Sequence, residues 1–135
     1  MTEQFRWPVR VYYEDTDAGG VVFYANYLKY LERARTEWLR SMGFEQQRMI
    51  EEQDALFAVV SIEGNYRKPA RLDDELAVTV EVEASGRSSL LFRQRVVRKQ
   101  DDMLLFDGTV KVACLTASTF RPQAILANVR EKFSA

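Results

Sequence analysis

With 135 residues, 47% of them hydrophobic, the chain is long enough for one domain with a substantial core. Its 19 basic and 20 acidic residues leave a net charge of −1, which offers neither a basic excess for nucleic acid nor an acidic solvating tail. A single cysteine, Cys114, and no histidine remove an internal disulfide framework, a cysteine-rich zinc site, Ser–His and Cys–His nucleophile pairs, and imidazole metal sites. The N-terminal MTEQFRWPV lacks the basic-then-apolar pattern of a signal peptide, and no apolar run approaches the ~20 residues that span a bilayer. These features lead us to expect a soluble, cytoplasmic protein without a transmembrane segment.

In chain order, Phe5, Trp7, Val9, Val11 and Tyr13 alternate with more polar neighbours, which predicts a half-buried strand over 5–13, with Pro8 at an edge or early position. A turn rich in carboxylates and glycines follows, Glu14 to Gly20. Then comes one long amphipathic helix, with Tyr27, Leu28, Leu31, Ala34, Trp38, Leu39 and Met42 at three- and four-residue steps. Asn26 reads as its N-cap and Gly43 as its C′ residue, giving about four turns. The polar stretch Glu45–Asp54 reads as a short peripheral helix around Met49 and Ile50.

Strands are predicted at Phe57–Tyr66, around Leu76–Glu83, at Ser89–Arg98 and at Leu104–Leu115. Turns fall at Lys68–Arg71, Asp73–Asp74, Gly86 and Asp101–Asp102, so the last three strands pair antiparallel. Pro122 separates them from a short C-terminal helix, Ala124–Phe133. No repeat, low-complexity segment or linker interrupts 1–135, a single α+β domain. The economical packing is a five-stranded antiparallel sheet curved around the helix Asn26–Met42, with its other face toward water or a partner subunit. One helix covers such a sheet poorly and leaves edges open, so dimerisation is expected.

The turn is where chemistry can reside. Asp15 and Asp17 stand just upstream of Gly19 and Gly20, near a helix N-terminus whose free N–H groups favour negative charge. Glycines there let backbone approach a ligand without a Cβ in the way. Asp17 has a plain structural alternative, an Asx-turn before the glycines. Asp15 reads as structural, bonding turn N–H groups. Cys114 reads as a small buried hydrophobe, and Trp7 and Trp38 as core.

The strand end and turn Tyr13-Glu14-Asp15-Thr16-Asp17-Ala18-Gly19-Gly20, the run Val21 to Tyr27, and the helix LERARTEWLRSMG resemble hot-dog-fold acyl-CoA thioesterases. More narrowly they resemble the 4-hydroxybenzoyl-CoA thioesterase-like group in its Tol–Pal-associated (YbgC-type) branch. The opening Phe5–Tyr13 and the stretch Tyr66–Leu76 fit the same branch, so the resemblance covers essentially the whole chain. It implies a homodimer or dimer-built tetramer with active sites at the interface, hydrolysing acyl-CoA, and acyl carrier protein thioesters as a further option, without a cofactor. It also implies that Asp17 is the catalytic carboxylate and that the backbone N–H of Tyr24 polarises the thioester carbonyl. Several members of the Tol–Pal branch carry histidine where this chain has Tyr24, whereas hydroxybenzoyl-CoA enzymes carry tyrosine; a backbone role survives that change. Gly19, Gly20 and Arg87 are the expected substrate contacts, with Arg67, Lys68 and Arg71 as basic residues that either meet CoA phosphates or form a solvated turn. Glu32 is a reserve carboxylate, because some hot-dog thioesterases place theirs on the helix.

Thioester hydrolysis needs an activated water or nucleophile and a donor for the charge developing on the carbonyl oxygen. Asp17 serves the first need as a general base or by direct attack, and helix-start N–H groups serve the second. Two competing readings follow from the same residues. An aspartyl-phosphate phosphatase would need a parallel α/β sheet that the strand pattern does not supply. A non-catalytic acyl-binding or scaffold module on the same fold, associated with the Tol–Pal envelope system, would not need a carboxylate at Asp17.

Overall fold

The computed structural model describes residues 4–134. Strand β1 (Phe5–Arg10) leads through a single 3-10 turn at Tyr13–Asp15 and a loop into helix α1 (Asn26–Ser41). Helix α2 (Gln46–Gln53), strands β2 (Ala55–Tyr66), β3 (Glu75–Ser85), β4 (Ser89–Arg98) and β5 (Met103–Thr116), and helix α3 (Ala127–Ser134) complete the chain. The sheet has five strands in the order β1-β3-β4-β5-β2, and its four pairings are all antiparallel. It wraps around α1 in the hot-dog arrangement.

Helix α1 buries Tyr27, Tyr30, Leu31, Ala34, Trp38 and Leu39 against Val78, Val80, Leu90, Phe92, Val96 and Val110 of the sheet. Residues at 27, 30, 31, 34 and 38 share one face at 3.6 residues per turn, which is why Tyr30 is buried and Leu28, expected inside, is 42% exposed. The helix ends as the glycine predicted: Gly43 has φ +94°, Gly43 N–H donates to Arg40 O, and Phe44 N–H donates to Leu39 O, the two bonds of a Schellman cap. Its start differs from expectation. Ala25 already has helical angles, and Asn26 is the first helical residue rather than the N-cap; its side chain is committed elsewhere.

Two further boundaries shift. Strand β1 stops at Arg10, Val11 is buried, and Tyr13 swings out to 83% exposure because the chain turns there instead of continuing the alternation. The C-terminal helix begins at Ala127, since Gln123 and Ile125 donate their N–H groups to Cys114 O and Arg87 O and are held extended along the sheet.

Candidate active site

Between β1 and α1 the chain doubles back on itself. Thr16 bridges Val22, Asp17 N–H donates to Val21 O at 2.9 Å, and Phe23 N–H donates to Asp15 O at 2.8 Å. Gly20, at φ +80°, supplies the left-handed turn at the tip. Asp17 and Tyr24 are thereby carried on the two arms of one small loop. A second loop, 67–74, braces it: Val22 N–H donates to Ala70 O at 2.8 Å, and Ala70 N–H donates to the Tyr27 hydroxyl at 3.1 Å.

Asp15, buried to 8% exposure, is the internal tie. Its carboxylate accepts from Tyr12 N–H and from Asn26 Nδ2, each at 2.8 Å, and so joins the exit of β1 to the first residue of α1. This is the structural role expected for Asp15. The Tyr30 hydroxyl is buried nearby without a hydrogen-bond partner. Burial raises the Tyr30 phenol far above its ordinary range, and the Asp15 charge adds to the rise.

Asp17 is exposed at the loop tip and lines a hollow of about 520 Å³ with Tyr13, Thr16, Ala18, Gly20 and Leu72. Its Oδ1 accepts from Gly19 N–H at 2.8 Å, so the Asx-turn foreseen as the structural alternative is present. The turn occupies one carboxylate oxygen; Oδ2 accepts no hydrogen bond among the described residues. A Cβ on Gly19 would stand 3.2 Å from Oδ1, crowding that turn.

The Tyr24 N–H donates to no group among the described residues, and its carbonyl accepts from the Tyr66 hydroxyl at 2.9 Å. Tyr66 stacks edge-on against Tyr27 and Phe106, each with ring centroids 5.2 Å away, so an aromatic cluster holds the Tyr24–Ala25 peptide, the one that follows the Tyr24 N–H. Burial raises the Tyr66 phenol above its ordinary value, and Tyr24 adds to the rise, which keeps Tyr66 a proton donor. A groove of about 290 Å³ runs over Val22, Tyr24, Tyr27 and Tyr66, with Arg67 and Lys68 at its rim. The bond from Tyr66 escaped sequence reasoning because it meets Tyr24 from 42 positions away.

Of the expected contacts, Gly19 and Gly20 sit beside Asp17. Within one chain Arg87 stands at the opposite end: it lies in the β3–β4 turn, while Asp17 lies at the end where β3 begins, and the 11 residues of β3 span roughly 35 Å. Glu32 also stands apart, exposed on α1 beside a different cavity. Cys114 is fully buried, and burial pushes its thiol up. Among the described residues no cluster of three or more Cys, Asp or Glu could hold a metal ion, and no helix is long and apolar enough to cross a membrane.

A five-stranded antiparallel sheet wrapped on one long helix is the hot-dog fold of thioesterases. The chain belongs to the thioesterase superfamily, whose family model matches residues 19–104, beginning two positions after Asp17. It is 46% identical over 129 residues to the acyl-CoA thioesterase YbgC of Haemophilus influenzae, covering 96% of this chain and 93% of that one. It is 45% identical over 132 residues to the acyl-CoA thioester hydrolase YbgC of Escherichia coli O6:H1, covering 98% and 97%. The crystal structure of Slr0204, a 1,4-dihydroxy-2-naphthoyl-CoA thioesterase from Synechocystis, superposes with a TM-score of 0.90 over 98% of this chain and 96% of that one; at 20% identity it bears on the fold alone. The relatives carry enzyme names, which supports hydrolysis over the non-catalytic acyl-binding or Tol–Pal scaffold reading.

Proposed function

We propose that this protein is an acyl-CoA thioesterase in which Asp17 activates the attack on the thioester and the Tyr24 N–H stabilises the carbonyl oxygen. The observation that carries this reading is the loop itself: a carboxylate with one free oxygen and an N–H with no other partner, locked together through Asp15. As general base, Asp17 takes a proton from water while the water oxygen bonds to the acyl carbon. The carbonyl π electrons move to oxygen, to which the Tyr24 N–H donates a hydrogen bond, and collapse of the tetrahedral intermediate restores the C=O and breaks the C–S bond. The proton then goes to the departing CoA thiolate, leaving free acid and thiol. As nucleophile, Asp17 would instead form a mixed anhydride that water opens, with the same products. Either course uses the N–H in the same way, and removing one such donor costs about 3–4 kcal/mol in comparable sites.

The reading includes a homodimer, alone or doubled into a tetramer. Strand β2 is a 12-residue sheet edge, with Val59, Val60, Ile62 and Tyr66 between 40% and 60% exposed. An edge this long and apolar is covered in a stable protein, and pairing with a second β2 is the direct way to cover it. Arg67 and Lys68 beside the Tyr24 groove are then the candidates for the CoA phosphates. An acyl carrier protein presents its acyl group on the same phosphopantetheine thiol, so it is a second donor within this reading. The enzyme would act in the cytoplasm, the compartment of acyl-CoA.

The test is thiol release from acyl-CoAs of varied chain and ring type, comparing the parent with Asp17→Asn. Asparagine keeps the oxygen facing Gly19 N–H but cannot accept a proton or attack. Turnover reduced by about a hundredfold or more, with the oligomer intact, is the expected result for losing an essential acid–base group. Turnover untouched by the substitution would overturn the Asp17 role.

A further inference from the structure

A second cavity, about 130 Å³, opens between α1, α2 and the sheet, away from the Asp17 loop of the same chain. Trp38, Leu39, Phe57 and Phe92 form its apolar walls, and Arg35 and Glu32 enter it from α1. Arg35 is held in an unusual way. Gln94, wholly buried in an otherwise apolar inward row of β4, donates Nε2 to Leu31 O at 3.1 Å and to Thr79 O at 3.3 Å. Those two carbonyls orient the amide, so its Oε1 is turned to accept Arg35 Nη1 at 2.9 Å. The remaining guanidinium donors have no partner, and no carboxylate lies within ion-pair distance of Arg35 among the described residues. Burial pulls its pKa down to about 10, an effect that Glu32 only partly offsets, and Arg35 remains a cation at neutral pH. A half-buried cation whose remaining donors have no counter-charge is incompletely satisfied, and a planar guanidinium is shaped to take a carboxylate through two parallel hydrogen bonds.

Phe57 and Val59 put this cavity at the N-terminal half of β2, whereas Tyr66, which holds the Tyr24 peptide, ends that strand. Antiparallel pairing of two β2 edges about the exposed Val60–Ile62 segment therefore sets the cavity of one protomer beside the Asp17 loop of its partner. We propose that Arg35, aimed by Gln94, reads the far end of the acyl group, and that the enzyme prefers acyl-CoAs whose chain ends in a carboxylate over those ending in a methyl. This inference rests on the dimeric thioesterase reading above, and it names the substrate class of that site.

The experiment separates the two. Affinity is measured by calorimetry in the Asp17→Asn protein, which reports binding whether or not turnover occurs, with glutaryl-CoA against pentanoyl-CoA and adipyl-CoA against hexanoyl-CoA. The expected result is about 10- to 100-fold tighter binding of the carboxylate-ended member of at least one pair, the range for a hydrogen bond to a charged group. Adding Arg35→Met, similar in length and apolar, is expected to erase that ratio, and Arg35→Lys to restore part of it. Ratios near one in both pairs, or a ratio that survives Arg35→Met, would overturn the proposal; the first outcome needs no variant at Arg35 to fold. Thiol release from pentanoyl- and hexanoyl-CoA, parent against Asp17→Asn, reports on Asp17 whatever the outcome at Arg35.

Discussion

Replacing Asp15 by asparagine separates the positioning of this loop from its chemistry. The Asp15 carboxylate accepts two hydrogen bonds at 2.8 Å, from Tyr12 N–H and Asn26 Nδ2, at 8% exposure. Each is a bond to a charged acceptor, worth about 1.5–3 kcal/mol net. In Asp15→Asn one oxygen becomes an NH2, so one of the two donors meets another donor in a site with little room for water. The loss of one charge-assisted bond and the conflict that replaces it together predict a destabilisation of about 2–3 kcal/mol. Because the broken tie is the one joining β1 to the start of α1, Tyr24 N–H should also move, and a displacement on the order of 1 Å at a reacting centre costs about a hundredfold. The assay pairs urea unfolding with steady-state thiol release. Asp15→Asn should lower both the unfolding free energy and kcat, whereas Asp17→Asn should lower kcat and leave stability within about 0.5 kcal/mol, as an exposed substitution does. An Asp15→Asn protein as stable as its parent, or one destabilised but turning over at the parent rate, would refute the assignment of Asp15 as the tie.

Three further variants have expected outcomes. Gly108→Ala should destabilise by about 3 kcal/mol, read as a lowered melting temperature, because its Cβ would fall 2.3 Å from Glu63 O and 2.9 Å from Gly64 Cα, both backbone atoms that cannot step aside. Tyr30→Phe should leave stability at neutral pH unchanged or raise it by about 1 kcal/mol, since the hydroxyl it removes is buried without a partner. The same variant should flatten the alkaline loss of stability: the folded chain holds the Tyr30 proton above the ordinary tyrosine value of 10.0 while the unfolded chain releases it there. The folded state thus binds more protons in that window, and stability falls as pH rises through it; an unchanged slope in denaturation above pH 10.0 would contradict this. Val60→Lys, at a position 60% exposed in the middle of the β2 edge, should shift the protein toward monomer in sedimentation and reduce turnover with it. A monomeric variant with full activity would show that each site is complete within one chain.

The sequence by itself determined the five strands and three α-helices of this fold, because helices and strands announce themselves through spacing of 3.6 and 2 residues over short windows. Alternation from Leu76 to Glu83 and the Asp101–Asp102 turn sufficed for the β3-to-β5 meander, and Gly43 for the end of α1. The Asp17 loop was legible for the same reason, as aspartates, glycines and a helix start lie within a dozen positions. Where short-range pattern misled, a longer contact had taken over: Asn26 looks like a cap but serves Asp15, and Tyr13 continues an alternation that the turn at Tyr13–Asp15 cuts short.

Only the tertiary structure decided what holds the site and what surrounds it. That β2 pairs with β5 at one edge while β1 pairs with β3 at the other is set by chain crossing, which no local period records. The Tyr66 bond to Tyr24 spans 42 positions and the Arg35 bond to Gln94 spans 59. Such contacts depend on sheet register and on how α1 lies across the strands, so they exist only once every element is in place. The proposed reactive groups are thus local and readable, while the contacts that orient them belong to the fold.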